Sequence, residues 1–193
     1  MKFTDRSFEN RTFQDISAPA ADLMKKEFSD CLFRGCDLSA ARLSGALFQD
    51  CVFAGCNLSN VKVDGARFRR VVFRDSKLVG VAFNAVHPLL LDWSFEACKV
   101  EMCDFSRLKM RGTRFIDCRI GRSDFVEADL AEAAFTGSDL DGSLFNRTGL
   151  EKADFSSARS YAIDPTANRV RKAKFSYPEV LVLLAPFEIV LKD

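Results

Sequence analysis

Large apolar residues recur at every fifth position through most of this chain. Between residues 95 and 155 they are Phe95, Val100, Phe105, Met110, Phe115, Ile120, Phe125, Leu130, Phe135, Leu140, Phe145, Leu150 and Phe155. A small residue commonly stands two positions before each centre, as at Cys98, Thr113, Ser123 and Ala128, and Asp often stands immediately before it, as at Asp104, Asp124, Asp129, Asp139 and Asp154. Upstream the same period runs through Phe3, Phe8 and Phe13, and then from Leu23 to Phe83. Of the 19 phenylalanines 18 are centres, and Phe187 alone is not.

Neither regular element accommodates this spacing. On an α-helix a five-residue step turns the side chain by about 140°, which scatters the apolar positions around the whole circumference. On a straight strand an odd step sends successive centres to opposite faces. Both conflicts vanish if the chain turns a corner once per pentapeptide, so that each centre and the small residue two before it point inward. Stacked coils then bury one continuous core and form a solenoid.

Grouping centres at intervals of 20 residues tests for four sides per coil. One column reads Phe13, Phe33, Phe53, Phe73; the next reads Ala18, Leu38, Leu58, Leu78; another reads Phe8, Phe28, Phe48, Phe68; the last reads Phe3, Leu23, Leu43, Val63, Phe83. Residue size segregates by column, as a four-sided coil requires. After Phe83 the phase slips by two, which places a two-residue bulge near residues 86–88 with Leu90 as the next centre. The columns then resume, Phe73 leading to Phe95, Phe115, Phe135, Phe155 and Phe175. The unit predicted over 1–175 is therefore one β-helix, about 43 Å long if nine coils stack at about 4.8 Å. Trp93 falls in a small-residue slot, so either the bulge widens to admit it or the ring swings outward. Lys26 also falls in an inward slot, and Ser17–Ala20 lack a large centre; the reading there is a looser loop or distorted coil over 14–27, with Lys26 outside.

From Ser156 the repeat decays. Ser176 is suited to cap a helix carrying Pro178 and Glu179 in its first turn. Val180–Leu184 is apolar, Pro186 stops the helix, and Phe187–Leu191 reads as a strand. Residues 176–193 form a capping and dimerisation segment in this reading. Such a tail is too apolar to stay exposed, which predicts a homodimer through Val180, Leu181, Leu183, Leu184, Phe187, Ile189 and Leu191.

The seven cysteines, Cys31, Cys36, Cys51, Cys56, Cys98, Cys103 and Cys118, all occupy the small slot two before a centre. Their C-x4-C spacing is the repeat itself, and buried free Cys serves there as a small apolar residue; no metal site is predicted. The only histidine is His87, in the bulge, and no Ser-His-Asp set, phosphate loop or cofactor motif appears. The expectation is a binding protein without catalytic residues or a cofactor. The start is polar, without the apolar stretch of a signal peptide, and no apolar run is long enough to span a bilayer, so a cytoplasmic setting is expected.

Charge is balanced overall, at a formal +1, but segregated: residues 61–122 carry a net +6 and residues 123–160 a net −5. The acidic block supplies the candidate partner-binding residues Asp124, Glu127, Asp129, Glu132, Asp139, Asp141, Glu151 and Asp154. Beside a centre they point outward, and in a dimer the two blocks would flank the two-fold axis. An Asp before a centre also suits a corner, by accepting backbone N–H groups as in Asx turns. The basic block places Arg67, Arg69, Arg70, Lys109 and Arg111 on one face and Arg74 and Arg114 on the next. No aromatic residues interleave them for base stacking, so no direct nucleic-acid contact is expected.

The pentapeptides Cys36-Asp-Leu-Ser-Ala40, Cys56-Asn-Leu-Ser-Asn60, Ala128-Asp-Leu-Ala-Glu132 and Ala153-Asp-Phe-Ser-Ser157 resemble the A(D/N)LXX repeats of pentapeptide repeat proteins. The resemblance covers about residues 1–175 and implies an all-β fold, a right-handed quadrilateral β-helix with a short C-terminal helix and strand. Size, an unbroken run of repeats and an apolar tail are similar to the Qnr-like quinolone-resistance group and the mycobacterial fluoroquinolone-resistance protein. Members of that group dimerise by their C-terminal ends, mimic duplex DNA and bind DNA gyrase or topoisomerase IV. The resemblance therefore implies a DNA-mimicking binder of a type II topoisomerase that confers quinolone protection. This chain differs from the group in its formal charge of +1 and in having no long projecting loop. The alternative reading is an interaction scaffold for an unrelated partner.

Overall fold

A computed structural model describes residues 3–89 and 91–190. The chain winds into a β-helix in which each short strand pairs in parallel with the strand one coil away. Phe8 aligns with Phe28, Phe28 with Phe48, and Phe48 with Phe68; on the next side Phe13, Phe33, Phe53 and Phe73 align in turn. Sides without regular strands keep the same 20-residue register through isolated bridges such as Asp37–Asn57 and Asp129–Gly149. The four sides are called here the Phe8, Phe13, Leu38 and Phe83 faces, after their core columns. Residues 176–190 follow the last ladder pair, Phe155 with Phe175.

At most corners the residue two after the centre lies in the left-handed region. Asn10, Asp30, Ala40, Arg70 and Glu127 all adopt it, with φ between 49° and 61°. Such a conformation costs an L-residue on the order of 1 kcal/mol, and the stacked core holds each corner in place. At Gly137 the need for glycine is doubled: φ is 66°, and a Cβ there would run into the Asp117 carboxylate one coil away.

Phenylalanine packing explains the column pattern. Phe13, Phe33, Phe53, Phe73, Phe95, Phe115, Phe135, Phe155 and Phe175 form one continuous stack, with neighbouring centroids 4.5–5.3 Å apart. A second column meets it edge to face, the geometry that the ring quadrupole favours. In the first half this second column is Phe8, Phe28, Phe48 and Phe68; in the second half it is Phe83, Phe105, Phe125 and Phe145. The second column thus changes face in mid-rod, and Trp93 fills the crossing. Its ring is buried, 5.6 Å from Phe68 and 5.2 Å from Phe83. Of the two placements open to Trp93 from sequence, the inward one is observed.

The register change lies at the same level. His87 N–H still bonds Ala66 O in the regular pattern, whereas Phe73 aligns with Phe95 and Leu78 with Val100, an offset of 22 residues. The two additional residues therefore enter between His87 and Trp93. Leu90, expected as a centre, lies outside the described residues.

Two sequence expectations are corrected. Residues 14–27 form a regular coil: Ser17 bridges Asp37, Asp22 bridges Arg42, and Ile16 and Ala18 pack against the core. The main-chain ladder suffices to hold this coil even where Ala18 stands in for a large centre. Lys26 stays in its slot, half-buried, and its ammonium reaches back to bond Asp5 O at 2.7 Å. In the tail a 3₁₀ helix spans Glu179–Phe187, with no side-chain cap and with Pro186 inside it. Pro186 lies in the last turn, where its missing N–H removes a single helical bond, the one that would run to Leu183 O. Residues 188–190 form no strand, and Leu191, the last position of the strand and dimer readings, lies outside the described residues.

Candidate partner-binding surface

Outward positions flank each centre, so every face presents two rows of side chains and a corner row. The eight candidate carboxylates occupy such positions on all four faces. Asp124 stands just before Phe125 on the Phe83 face and Glu127 at the corner that ends it, Asp129, Glu132 and Glu151 lie on the Phe8 face, Asp139 and Asp141 on the Leu38 face, and Asp154 on the Phe13 face. A block of 38 residues winds almost twice around a four-sided rod, which is why contiguity in sequence disperses it in space.

Charges are organised instead along the rod, between positions one coil apart. Glu127 sits between Arg107 below and Arg147 above, each with Nε 3.0 Å from its carboxylate. Glu132 sits likewise between Arg111, at 2.9 Å, and Lys152, at 3.0 Å. Glu151 pairs with Arg169, Asp139 with Arg159, and Asp154 with Lys174. The Arg147 and Arg107 hydrogen bonds hold the Glu127 carboxyl below its ordinary range, and those of Lys152 and Arg111 do the same for Glu132. Glu132 and Glu151 line one shallow depression together with Asp129, Arg111, Lys152 and Arg169.

The aspartates before a centre make the corner bonds foreseen for them. Asp124 accepts Val126 N–H at 2.8 Å, Asp129 accepts Ala131 N–H at 3.1 Å, and Asp154 accepts Ser156 N–H at 3.0 Å. Among the described residues Asp124, Asp129 and Asp141 have no cationic partner. They are the acidic positions with charge available to a partner.

All seven cysteines are free and buried. Cys36 Sγ donates to Phe13 O at 3.2 Å, and Cys118 Sγ donates to Phe95 O at 3.4 Å. Ser76, Ser123, Ser138, Ser143 and Thr148 place a hydroxyl in the same slot and bond the equivalent carbonyl. The slot therefore takes a small donor at these positions, whereas Ala128, Ala133 and Ala153 fill it elsewhere with a small apolar side chain. Burial pushes the Cys51, Cys56 and Cys103 thiols up to about 12. Among the described residues no cluster of three or more His, Cys, Asp or Glu is placed to hold a metal ion. No described helix is long and apolar enough to cross a membrane.

At the C-terminal end Val182 and Leu183 pack against the core, and Val180 and Leu184 are half-buried. Leu181, Phe187 and Ile189 are exposed, as are Tyr177 and Val190, which the sequence reading did not single out. The helix thus divides the proposed dimer residues between the rod and solvent.

The chain is similar to solved structures. A trypsin-treated variant of QnrB1, a plasmid-mediated fluoroquinolone resistance protein, is 20% identical, with 97% of this chain and 94% of that chain covered and a TM-score of 0.54. Full-length QnrB1 is 18% identical over 95% of this chain and 100% of that chain, with a TM-score of 0.41. HetL, a pentapeptide repeat protein involved in heterocyst differentiation regulation in the cyanobacterium Nostoc sp. strain PCC 7120, is 15% identical over 90% of each chain, with a TM-score of 0.29. No curated protein sequence matches. The sequence does match the profile of the pentapeptide repeat region over residues 26–89 and 81–155. Those residues are the ones whose corners, Phe stack and 20-residue ladder build the rod, and the chain belongs to the pentapeptide repeat family.

Proposed function

We propose that this chain is a non-enzymatic binder of a type II topoisomerase, protecting the enzyme from quinolone-type poisons, and that it acts as a homodimer joined at the C-terminal ends. The observation that carries the reading is the end-to-end correspondence with the QnrB1 variant, over 97% of one chain and 94% of the other. The exposed Tyr177, Leu181, Phe187, Ile189 and Val190 at one end of the rod supply apolar area for a second copy. A duplex-like display of charge would come from Asp124, Asp129 and Asp141, with Glu127 held between its two arginines.

The test is a gyrase supercoiling assay with ciprofloxacin, with and without the purified protein. Protection by the wild-type chain, lost in a triple Asp124→Asn, Asp129→Asn, Asp141→Asn variant, supports the reading. Asn keeps the acceptor oxygen that holds the corner while removing the charge, so loss of protection with an unchanged melting temperature separates partner contact from folding. Wild-type protein that gives no protection refutes it. A scaffold for a different partner is the second reading, favoured by Arg67, Arg69, Lys109 and Arg114, which among the described residues have no carboxylate at ion-pair distance.

A further inference from the structure

The register change on the Phe8 face creates a surface with different chemistry. The sheet of this face ends at strand Arg67–Arg69. After the register change the ladder is met again where Asp92 N–H bonds Phe68 O at 3.2 Å and Val71 N–H bonds Asp92 O at 3.0 Å. Leu89, between the two coils, is 68% exposed. One exposed leucine needs no explanation, but the company of this one does. Arg67, Arg69 and Arg70 lie on the coil before it, and Lys109 and Arg111 on the coil after it. Arg70 is tied to Asp50 and Arg111 to Glu132. Among the described residues Arg67, Arg69 and Lys109 have no carboxylate at ion-pair distance, and neither does Arg114 on the adjoining face.

We infer that this face docks an extended acidic segment of a partner protein carrying an apolar residue between its carboxylates. The apolar residue covers Leu89, and the carboxylates meet Arg67 and Arg69 on one side and Lys109 on the other. The two cationic rows are two coils apart, about 10 Å, which an extended chain spans in about three residues. The recognised pattern is therefore an apolar residue flanked by acidic residues about three positions apart. Nucleic acid fits less well. A phosphate backbone has no apolar group to cover Leu89, and Trp93, the one aromatic side chain nearby able to stack on a base, is buried. This surface is separate from the carboxylates and the C-terminal end invoked above and does not depend on them.

The test is fluorescence anisotropy with the full chain and a short fluorescein-labelled peptide of repeating acidic–acidic–Phe sequence, with no topoisomerase present. Saturable binding is expected, weakening at least about tenfold from low to high salt as the ion pairs are screened. Leu89→Ser and Lys109→Glu are each expected to weaken it at least about fivefold, while Lys172→Glu, at the far end of the rod, leaves it unchanged; melting curves confirm that each variant is folded. The inference is overturned by equal binding of a peptide with Ser in place of Phe, by equal weakening from Lys172→Glu, by tighter binding of a duplex DNA probe, or by no binding at millimolar protein.

Discussion

Ser138 Oγ donates to the carbonyl of Phe115, 23 residues earlier, at 3.1 Å, and accepts Cys118 N–H at 3.0 Å. One hydroxyl thus satisfies two main-chain groups in a place that water does not reach, since Ser138 is fully buried. Ser138→Ala leaves both without that partner, and the expected cost is about 1–3 kcal/mol. Ser138→Cys, which restores the donor used at Cys118, is expected to cost less. Urea denaturation of the two variants beside wild type checks the order, and equal stability of all three would show that the slot needs only small size.

The ring of Phe115 stacks on Phe95 at 4.9 Å and on Phe135 at 5.2 Å. Phe115→Ala opens a cavity between two rings that the surrounding main-chain ladder keeps apart, so the site cannot collapse around it. A loss of about 3–5 kcal/mol is expected. Phe187→Ala is the contrasting change, because that ring is 52% exposed; in the monomer its effect should stay within about 0.5 kcal/mol. Thermal melts at low protein concentration test the pair.

The thiols give a chemical readout of the same core. With Cys51, Cys56 and Cys103 raised to about 12 by burial, on the order of one in 10,000 of each is thiolate at pH 8. Because all seven are buried, the native protein is expected to react with a disulfide reagent such as DTNB only as it unfolds, and denaturant should then release all seven thiols. Rapid labelling of several cysteines in the native state would contradict the packing described.

Much of this core is legible in the sequence. Period and column grouping locate the Phe115 stack, because a core position admits little besides a large apolar side chain. The direction of Trp93 was not legible: its slot takes Cys and Ser elsewhere, and the space for an indole arises only because the second Phe column passes from Phe68 to Phe83 at that level. Nor did the early coil reveal itself, since main-chain bonds hold it in line although Ala18 fills little of the core. Reading charge by segment hid the surface most. Arg107, Glu127 and Arg147 look unrelated in sequence, yet they are vertical neighbours, and only a count in steps of 20 brings them together.

That vertical pairing sets the expected response to acid. The Glu127 and Glu132 carboxyls lie below their ordinary range because of their cationic neighbours, and Asp154 lies below its range because of the Ser156 hydrogen bonds. A carboxyl depressed in the folded state contributes stability that is present above its unfolded pKa, near about 4, and disappears as pH falls through the folded value. The melting temperature should therefore be nearly level from pH 8 to 5 and fall below about pH 4. Because these groups are at the surface, added salt should lower the upper plateau slightly and flatten the fall. Glu127→Gln, which cannot titrate, should shrink the acid-induced drop while leaving Arg107 and Arg147 facing each other across a neutral amide. A melting temperature that rises toward pH 3, or a Glu127→Gln drop as large as that of wild type, would show that the ladder does not couple charge to folding.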